Sequence, residues 1–449
     1  MTSPPSRAAR FLYLPFEVDA ASNVLRCRYE LDGRVFEEQI TVGQPVDWGD
    51  PAVLEAARLV HLLAGVSYFK AGAPPLLDLG DVPVRPGEAE FLREYFEEGL
   101  GEFAYRNGID LHLEVVGGAP AGPPAPCHPR GGRPLVPFGG GIDSIVTVDE
   151  VRTHGGADLD LALFVVSRAG DRFEAIEAAA AVTGLPVLRA ERALDPQILR
   201  SAELGFLNGH VPVTGILSAI AVLVAVADGR DAVVMSNEWS ASSGNVRAGD
   251  RMVNHQYSKS AAFETAFRGV LAGAFTDGPD YFSLLRPWSE LAIAERFARL
   301  RDFHGTFRSC NRAFHIDPAQ RLDTWCGRCD KCCFIDLILA PYVPATDLAA
   351  VFGGAEPLDQ PDLLTAFRTL LGFGDDVKPF ECVGDVGECR TAAVLAGDRP
   401  DRLGNAVLAA LRDELGSGVV GARVAAAALS QPMGSSSVPE RYATTRLVG

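Results

Sequence analysis

Lysine is nearly absent. Of the 41 Lys and Arg residues in this 449-residue chain, only Lys70, Lys259, Lys331 and Lys378 are lysines. A chain so rich in Ala, Gly and Pro reflects GC-rich coding, which accounts for nearly all the arginines and makes the four remaining lysines worth following. Basic charge is also in deficit: 58 Asp and Glu residues leave a net charge of −17. That balance disfavours a duplex nucleic-acid binder or a polybasic membrane-surface protein, and no basic run with interleaved aromatics suggests a tRNA partner. Long apolar runs are missing too. The nearest to a span, Val211 to Ala227, is at the short limit and carries Pro212, Thr214, Gly215 and Ser218; it reads as a buried helix. The first residues, MTSPPSRAARFLYLPFEV, show no apolar stretch followed by a small-residue cleavage site, so no signal peptide is expected. The nine cysteines are odd in number, and four of them crowd into positions 326–333, which is no disulfide framework. A reducing, cytoplasmic location and a bound metal are expected instead.

The length predicts two or three domains. Residues 1–116 read as an α+β domain. In it, strands Val24–Glu30 and Arg34–Val42 flank the hairpin turn Asp32-Gly33, and helical segments follow at 50–63 and 88–105. Residues 117–134 (GGAPAGPPAPCHPRGGRP) predict an irregular linker or surface loop. Residues 135–280 alternate strand and helix, the pattern of a parallel sheet covered on both faces. Residues 281–430 read as a mainly helical lobe containing the cysteine cluster, and 431–449 as a polar, frayed tail.

The sharpest motif is Gly139-Gly140-Gly141-Ile142-Asp143-Ser144, placed between an apolar strand and a helix. Glycines let backbone N–H groups approach phosphate oxygens, and the helix N-terminus adds positive partial charge. Ser144 offers a hydroxyl, and Asp143 a hard oxygen suited to Mg2+. No Gly-Lys-Ser/Thr follows, and the third glycine of a dinucleotide fingerprint is missing, so neither of those motifs applies. The loop resembles the Ser-Gly-Gly-x-Asp-Ser loop of the PP-loop ATP pyrophosphatases, with Gly139 in place of the first serine. That resemblance implies the adenine nucleotide alpha hydrolase-like fold and cleavage of ATP to AMP and pyrophosphate.

Trp325-Cys326-Gly327-Arg328-Cys329-Asp330-Lys331-Cys332-Cys333 gives a C-x2-C-x2-C run, and Cys310 precedes it. Cys310, Cys326, Cys329 and Cys332 fit a closed, structural Zn2+ site. An iron–sulfur reading would need a further cysteine where Asp336 stands. Cys333 is expected to point elsewhere. Similar quartets occur in PP-loop enzymes resembling the 7-cyano-7-deazaguanine synthases.

Two polar loops, SNEWSASSGN (236–245) and NHQYSKS (254–260), follow the predicted strand 232–236, where an α/β sheet opens its crevice. They supply Glu238, His255 and Lys259, and Asn208 and His210 lie upstream. Downstream, Lys378-Pro379-Phe380-Glu381-Cys382 and Cys389 carry two thiols that suit a second metal half-site, plain burial, or acid/base work.

In this order, PFGGGIDS, SNEWSASSGN, NHQYSKS, SCN, WCGRCDKCCF and KPFECVG resemble the UDP-N-acetylmuramoyl-L-alanyl-L-glutamate epimerases of peptidoglycan synthesis, the MurL family, over about residues 135–390. The resemblance implies an isomerase that inverts the terminal L-Glu of a UDP-muramoyl dipeptide, using ATP and releasing AMP and pyrophosphate. It implies that Gly139, Gly140, Gly141, Asp143 and Ser144 hold pyrophosphate and Mg2+. Lys259, assisted by His255, would neutralise phosphate or the glutamate, and Cys382, Cys389, His255 and Glu238 are the acid/base candidates. Two other readings share the loop: a PP-loop nitrile- or amide-forming or thiolation enzyme acting on a nucleobase or tRNA, and a non-catalytic nucleotide sensor.

Overall fold

A computed structural model describes residues 7–156, 159–249, 251–315, 317–373, 380–443 and 447. Lys378 and Pro379 lie outside the described residues. The centre is one mixed sheet of eleven strands: β1 (Arg10–Tyr13), β2 (Glu17–Asp19), β3 (Val24–Leu31), β4 (Arg34–Val42), β5 (Leu76–Asp78), β6 (Glu114–Val116), β7 (Arg130–Pro137), β8 (Ala162–Arg168), β9 (Val187–Ala193), β10 (Arg230–Met235) and β11 (Asp280–Ser283). Their order is β11-β10-β7-β8-β9-β4-β3-β1-β5-β6, with β2 attached to β3.

The hairpin β3–β4 turns at Asp32 and Gly33, with φ of 47° and 86°, the double left-handed geometry that Asp-Gly favours. The Asp32 carboxylate also accepts from Ala9 N (2.9 Å) and Arg10 N (3.0 Å), tying β1 to the turn. Burial alternates along β3, as in a sheet with one covered face, whereas every residue of β10 is buried.

The strands β11, β10, β7, β8 and β9 are mutually parallel, and β7 is the switch point, with its successors β8 and β9 on one side and β10 and β11 on the other. A crevice at the carboxyl ends of β7 and β10 follows from that topology. Helices α1 (Pro51–Ala64), α2 (Glu88–Gly99), α3 (Gly101–Asn107), α4 (Ile142–His154), α5 (Glu174–Thr183), α6 (Val213–Ala227) and α7 (Ala261–Ala274) accompany the sheet. Asp50 caps α1 by accepting from Ala52 N, with Pro51 in the first turn. The predicted helix 88–105 is broken at Leu100 into α2 and α3. Helix α6 packs on α1 and is buried along most of its length, which explains its apolar run. The run Pro51–Phe69 is long and apolar enough to cross a membrane, but 89% of its most apolar window lies inside the protein.

Two expectations need correction. Residues 117–134 are not wholly irregular. Short strands at Ala119–Pro120 and Ala125–Pro126 pair with residues 83–84 and 275–276, and β7 already begins at Arg130. Nor does a linker separate the sheets, because β4 pairs antiparallel with β9 and the sheet runs through. At that seam Arg192 Nε donates to the fully buried Glu38 carboxylate at 2.7 Å. The tail also docks in its described part: Met433 N donates to Pro287 O (2.6 Å), and buried Tyr442 packs on Phe282.

The C-terminal lobe is helical, with α8 (Glu290–Phe297), α9 (Asp330–Leu339), α10 (Val386–Gly397) and further helices at Ala406–Leu415 and Gly418–Leu429. Within it the Arg402 guanidinium grips Glu356 with both side chains 1% exposed. Removing one partner strands a buried charge. Glu356→Ala is expected to lower stability by about 3–5 kcal/mol, and replacing both residues with Met to cost much less. Urea unfolding of the single and double variants decides this, and a loss below about 1 kcal/mol for Glu356→Ala would contradict it.

Candidate active site

The carboxyl ends of β7, β8 and β10 open into a cavity of about 370 Å³. Gly139, Gly141, Asp143, Ser144, Glu238 and Lys259 line one part of it, and Phe164, Val166, Ile176 and Phe314 make an apolar wall. Gly140 takes φ +71°, and a Cβ there would meet Ala175 O at 3.1 Å and the Ile176 Cα at 3.2 Å, so glycine is required. Helix α4 starts at Gly141 with no side-chain cap, leaving its first N–H groups facing the turn. The Ser144 hydroxyl donates to Gly141 O at 3.1 Å. Around the cavity, Asp143 Oδ1 and the Ser236 and Ser309 hydroxyl oxygens are buried without a hydrogen-bond partner among the described residues. Unpaired buried polar atoms around a cavity fit a polar, oxygen-rich occupant such as a phosphate chain.

The charges beside the turn are supplied by distant segments. Burial and the neighbouring Glu238 push the Asp143 carboxyl up to about 7. Glu290 rises well above the carboxylate range through burial and the Asp143 charge, and burial lifts Glu388 to about 7. Lys259 answers these anions. Its Nζ donates to Cys382 Sγ at 3.3 Å, and despite desolvation its pKa is raised by Cys382, Glu238 and Asp143. Arg286, buried and absent from the expected site, holds the backbone here. It donates to Glu238 O (2.8 Å) and Lys259 O (2.6 Å) and pairs with Glu264 at 3.0 Å.

Behind Lys259 stands His255. Desolvation opposes its protonation, but hydrogen bonds to Cys382 and Glu102 carry it up to about 9. Its Nδ1 lies 2.5 Å from Glu102 Oε2. Burial of the Cys382 thiol is outweighed by Lys259, the His255 hydrogen bond and Lys331, which bring it down to about 6. His210 lies against His255 with ring centroids 4.1 Å apart and the planes tilted by 40°, and burial together with the His255 charge lowers it to about 4. Lys70 fixes this corner by donating to Asn208 Oδ1 (2.5 Å) and Gly209 O (3.2 Å).

The structure therefore gathers Asp143, Ser144, Glu238, Lys259, His255 and Cys382. Cys389 is not among them. It sits fully buried in the apolar core of the C-terminal lobe, in the first turn of α10. Glu102 escapes sequence reading because no motif surrounds it. The spacing Glu94, Glu98, Glu102 was the available signal: these take Tyr257 Oη (2.9 Å), Arg251 (2.6 Å) and His255, docking residues 251–257 onto α2 and α3.

Cys310, Cys326, Cys329 and Cys332 bring their sulfurs within 4.8 Å of one another. Two of the spacings are 3.6 Å (Cys326–Cys332) and 3.5 Å (Cys329–Cys332), and Cys326 N donates to Cys310 Sγ at 3.4 Å. Those separations suit four thiolates about one tetrahedral ion. Cys333 is buried in the core, outside the quartet. Next to the quartet, Asn311 Nδ2 donates to Glu381 Oε1 (2.8 Å), Lys331 Nζ donates to Cys382 O, and Arg308 N donates to Gly140 O (3.1 Å).

Comparison with known proteins follows the same architecture. The MurL N-terminal domain matches residues 2–284, which includes the whole eleven-stranded sheet, and the MurL C-terminal domain matches residues 306–425. No solved structure matches the chain. A UDP-N-acetyl-alpha-D-muramoyl-L-alanyl-L-glutamate epimerase of Xanthomonas oryzae pv. oryzae is 41% identical over 89% of this chain and 88% of its own length. Proteins of the same name from Salinispora tropica and a Micromonospora species are 38% and 37% identical, over 97% and 91% of this chain and 95% and 91% of their own lengths. The chain belongs to the MurL family of UDP-N-acetyl-alpha-D-muramoyl-L-alanyl-L-glutamate epimerases.

Proposed function

We propose that this protein inverts the terminal L-Glu of UDP-N-acetylmuramoyl-L-alanyl-L-glutamate to D-Glu in the cytoplasmic stage of peptidoglycan synthesis, driving the inversion with ATP. The observation that carries the ATP half is the Gly139–Ser144 turn, opening onto a cavity with an apolar wall and three unpartnered polar atoms. The strand order around β7 supports a PP-loop arrangement. A substrate carboxylate oxygen attacks the α-phosphorus, pyrophosphate leaves, and the acyl-adenylate forms. Asp143 would hold Mg2+, which offsets phosphate charge. The turn's N–H groups and Lys259 bind the phosphate chain.

Adenylation removes the carboxylate's charge, so that taking the neighbouring α-proton no longer puts a second negative charge on the same group. The Cys382 thiolate, held by Lys259 and His255, is the base for that proton. Glu238, which lines the cavity, is the candidate for the second acid–base group. Water then cleaves the adenylate to D product and AMP. The cysteine quartet would hold Zn2+, which adds folding free energy and no chemistry.

Chiral analysis of the glutamate after incubation with ATP, with AMP and pyrophosphate quantified, tests the activity. Turnover of a nucleobase acid with ammonia instead, or ATP binding without turnover, would overturn it. Cys382→Ala is expected to cut solvent deuterium entry at the α-carbon by at least about 100-fold; exchange at the wild-type rate would remove Cys382 from the mechanism. The pH profile of kcat/KM should be a bell. It rises as the thiol ionises near pH 6 and falls as His255 loses its proton near pH 9, the two limbs belonging to the pair. Elemental analysis should find stoichiometric zinc, which Cys326→Ser loses together with thermal stability. A metal-free, equally stable wild type would refute the zinc assignment.

A further inference from the structure

Glu102 lies in the first turn of α3, outside the parallel half of the sheet that forms the cavity. Its side chain is 7% exposed, and both oxygens are used: Oε1 accepts from Arg106 Nε (2.6 Å), and Oε2 faces His255 Nδ1 (2.5 Å), with His210 Nδ1 at 3.9 Å. The same ring lies close enough to Cys382 for each group to favour the other's charged form, and Cys382 Sγ accepts from Lys259 Nζ at 3.3 Å. A carboxylate, an imidazole and a thiol are thus neighbours in that order. The backbone fixes the imidazole as well, because His255 N donates to Asn245 Oδ1 at 2.9 Å.

We propose that Glu102 is a positioning residue that holds His255 protonated and oriented, and through it keeps Cys382 as a thiolate. The inference deepens the proposed epimerase reading and rests on it for its catalytic meaning. The relay itself is a property of the resting protein.

Buried alone, an imidazolium is unfavourable and His255 would shed its proton. His210 beside it, whose carboxylate is 3.9 Å away and not hydrogen-bonded, is lowered by burial and by the charge of His255. A carboxylate in hydrogen-bond contact with Nδ1 reverses that outcome and orients the ring. The charged groups facing the pair are Glu102 and His210 on the His255 side, with Arg106 behind Glu102. Lys259, Lys331, Glu238 and Asp143 lie on the Cys382 side. The two lysines also favour the thiolate, so loss of Glu102 is expected to weaken the relay without abolishing it. The N-terminal part of the chain would then set the ionisation of a thiol delivered by the C-terminal lobe.

The test follows the rate of iodoacetamide alkylation at Cys382 against pH, read by peptide mass spectrometry on the intact, folded protein without substrate. Glu102→Gln keeps the side chain's size. It is expected to move the profile's midpoint up by about one pH unit, so that alkylation at pH 6 falls several-fold. His255→Gln should move it in the same direction, and adding Glu102→Gln to His255→Gln should bring no further upward shift. An unchanged midpoint in Glu102→Gln, or a further upward shift in the double variant, would overturn the relay. Steady-state assays of Glu102→Gln should show a several-fold lower kcat with KM unchanged. A shifted alkylation profile in a protein that never inverts glutamate would retain the relay and refute the epimerase reading.

Discussion

The active region is organised by one partly buried ammonium. Lys259 sits where Cys382, Glu238 and Asp143 converge, and their negative charges are what keep it protonated in a poorly solvated place. A buried cation without such partners would shed its proton, and the anions without the cation would take one up. Each requires the others. Asp143 arrives on the turn after β7, Glu238 on the loop after β10, and Cys382 from the C-terminal lobe, so the electrostatic condition is also a folding condition. The lobes must dock for the charges to be satisfied. The short carboxylate-to-imidazole contact of Glu102 and His255 extends the same logic into the N-terminal part.

That extension explains why the N-terminal region forms one sheet with the cavity-bearing strands. A tethered domain would hold Glu102 at a variable distance, whereas pairing β4 to β9 and burying Glu38 against Arg192 make the position rigid. Helices α2 and α3 then offer acidic side chains at Glu94, Glu98 and Glu102 to one loop. The family match from residue 2 to 284 treats this whole region as a unit, in agreement with the continuous sheet.

Much of this was legible in the sequence where the signal is local. Asp32-Gly33, the cap Asp50-Pro51, the strand–glycine–helix turn at 139–144 and the cysteine spacing each report on a few neighbouring residues. The structure has the corresponding hairpin, helix start, turn and sulfur cluster. What composition misjudged was 117–134: Gly and Pro argue against regular structure locally, yet partner strands at residues 83–84 and 275–276 supply hydrogen bonds that no local rule can see. Cys382 and Cys389 illustrate the same limit within the site. Seven positions apart and alike in sequence, one meets Lys259 while the other is packed among apolar side chains. Cys382 lies in the segment before α10, and Cys389 lies in its first turn. Lys70, with no motif around it, is accounted for by its hold on Asn208 and Gly209, beside His210.

The quartet of cysteines touches the chemistry without joining it. Asn311 follows Cys310 and binds Glu381, the neighbour of Cys382. Lys331 lies between Cys329 and Cys332 and binds the Cys382 carbonyl, and Arg308 N bonds the carbonyl of Gly140. A metal held by the four sulfurs would therefore fix, within a few residues, the glycine turn, the lysine beside the thiol, and the backbone of the thiol itself. Loops so short in regular structure have little packing of their own to hold them, and apolar burial is non-directional. Four bonds of fixed length to one centre would be directional, and they lie where the backbone must be held most closely. This accounts for a structural cluster placed beside the cavity, when stability alone could be gained anywhere in the lobe.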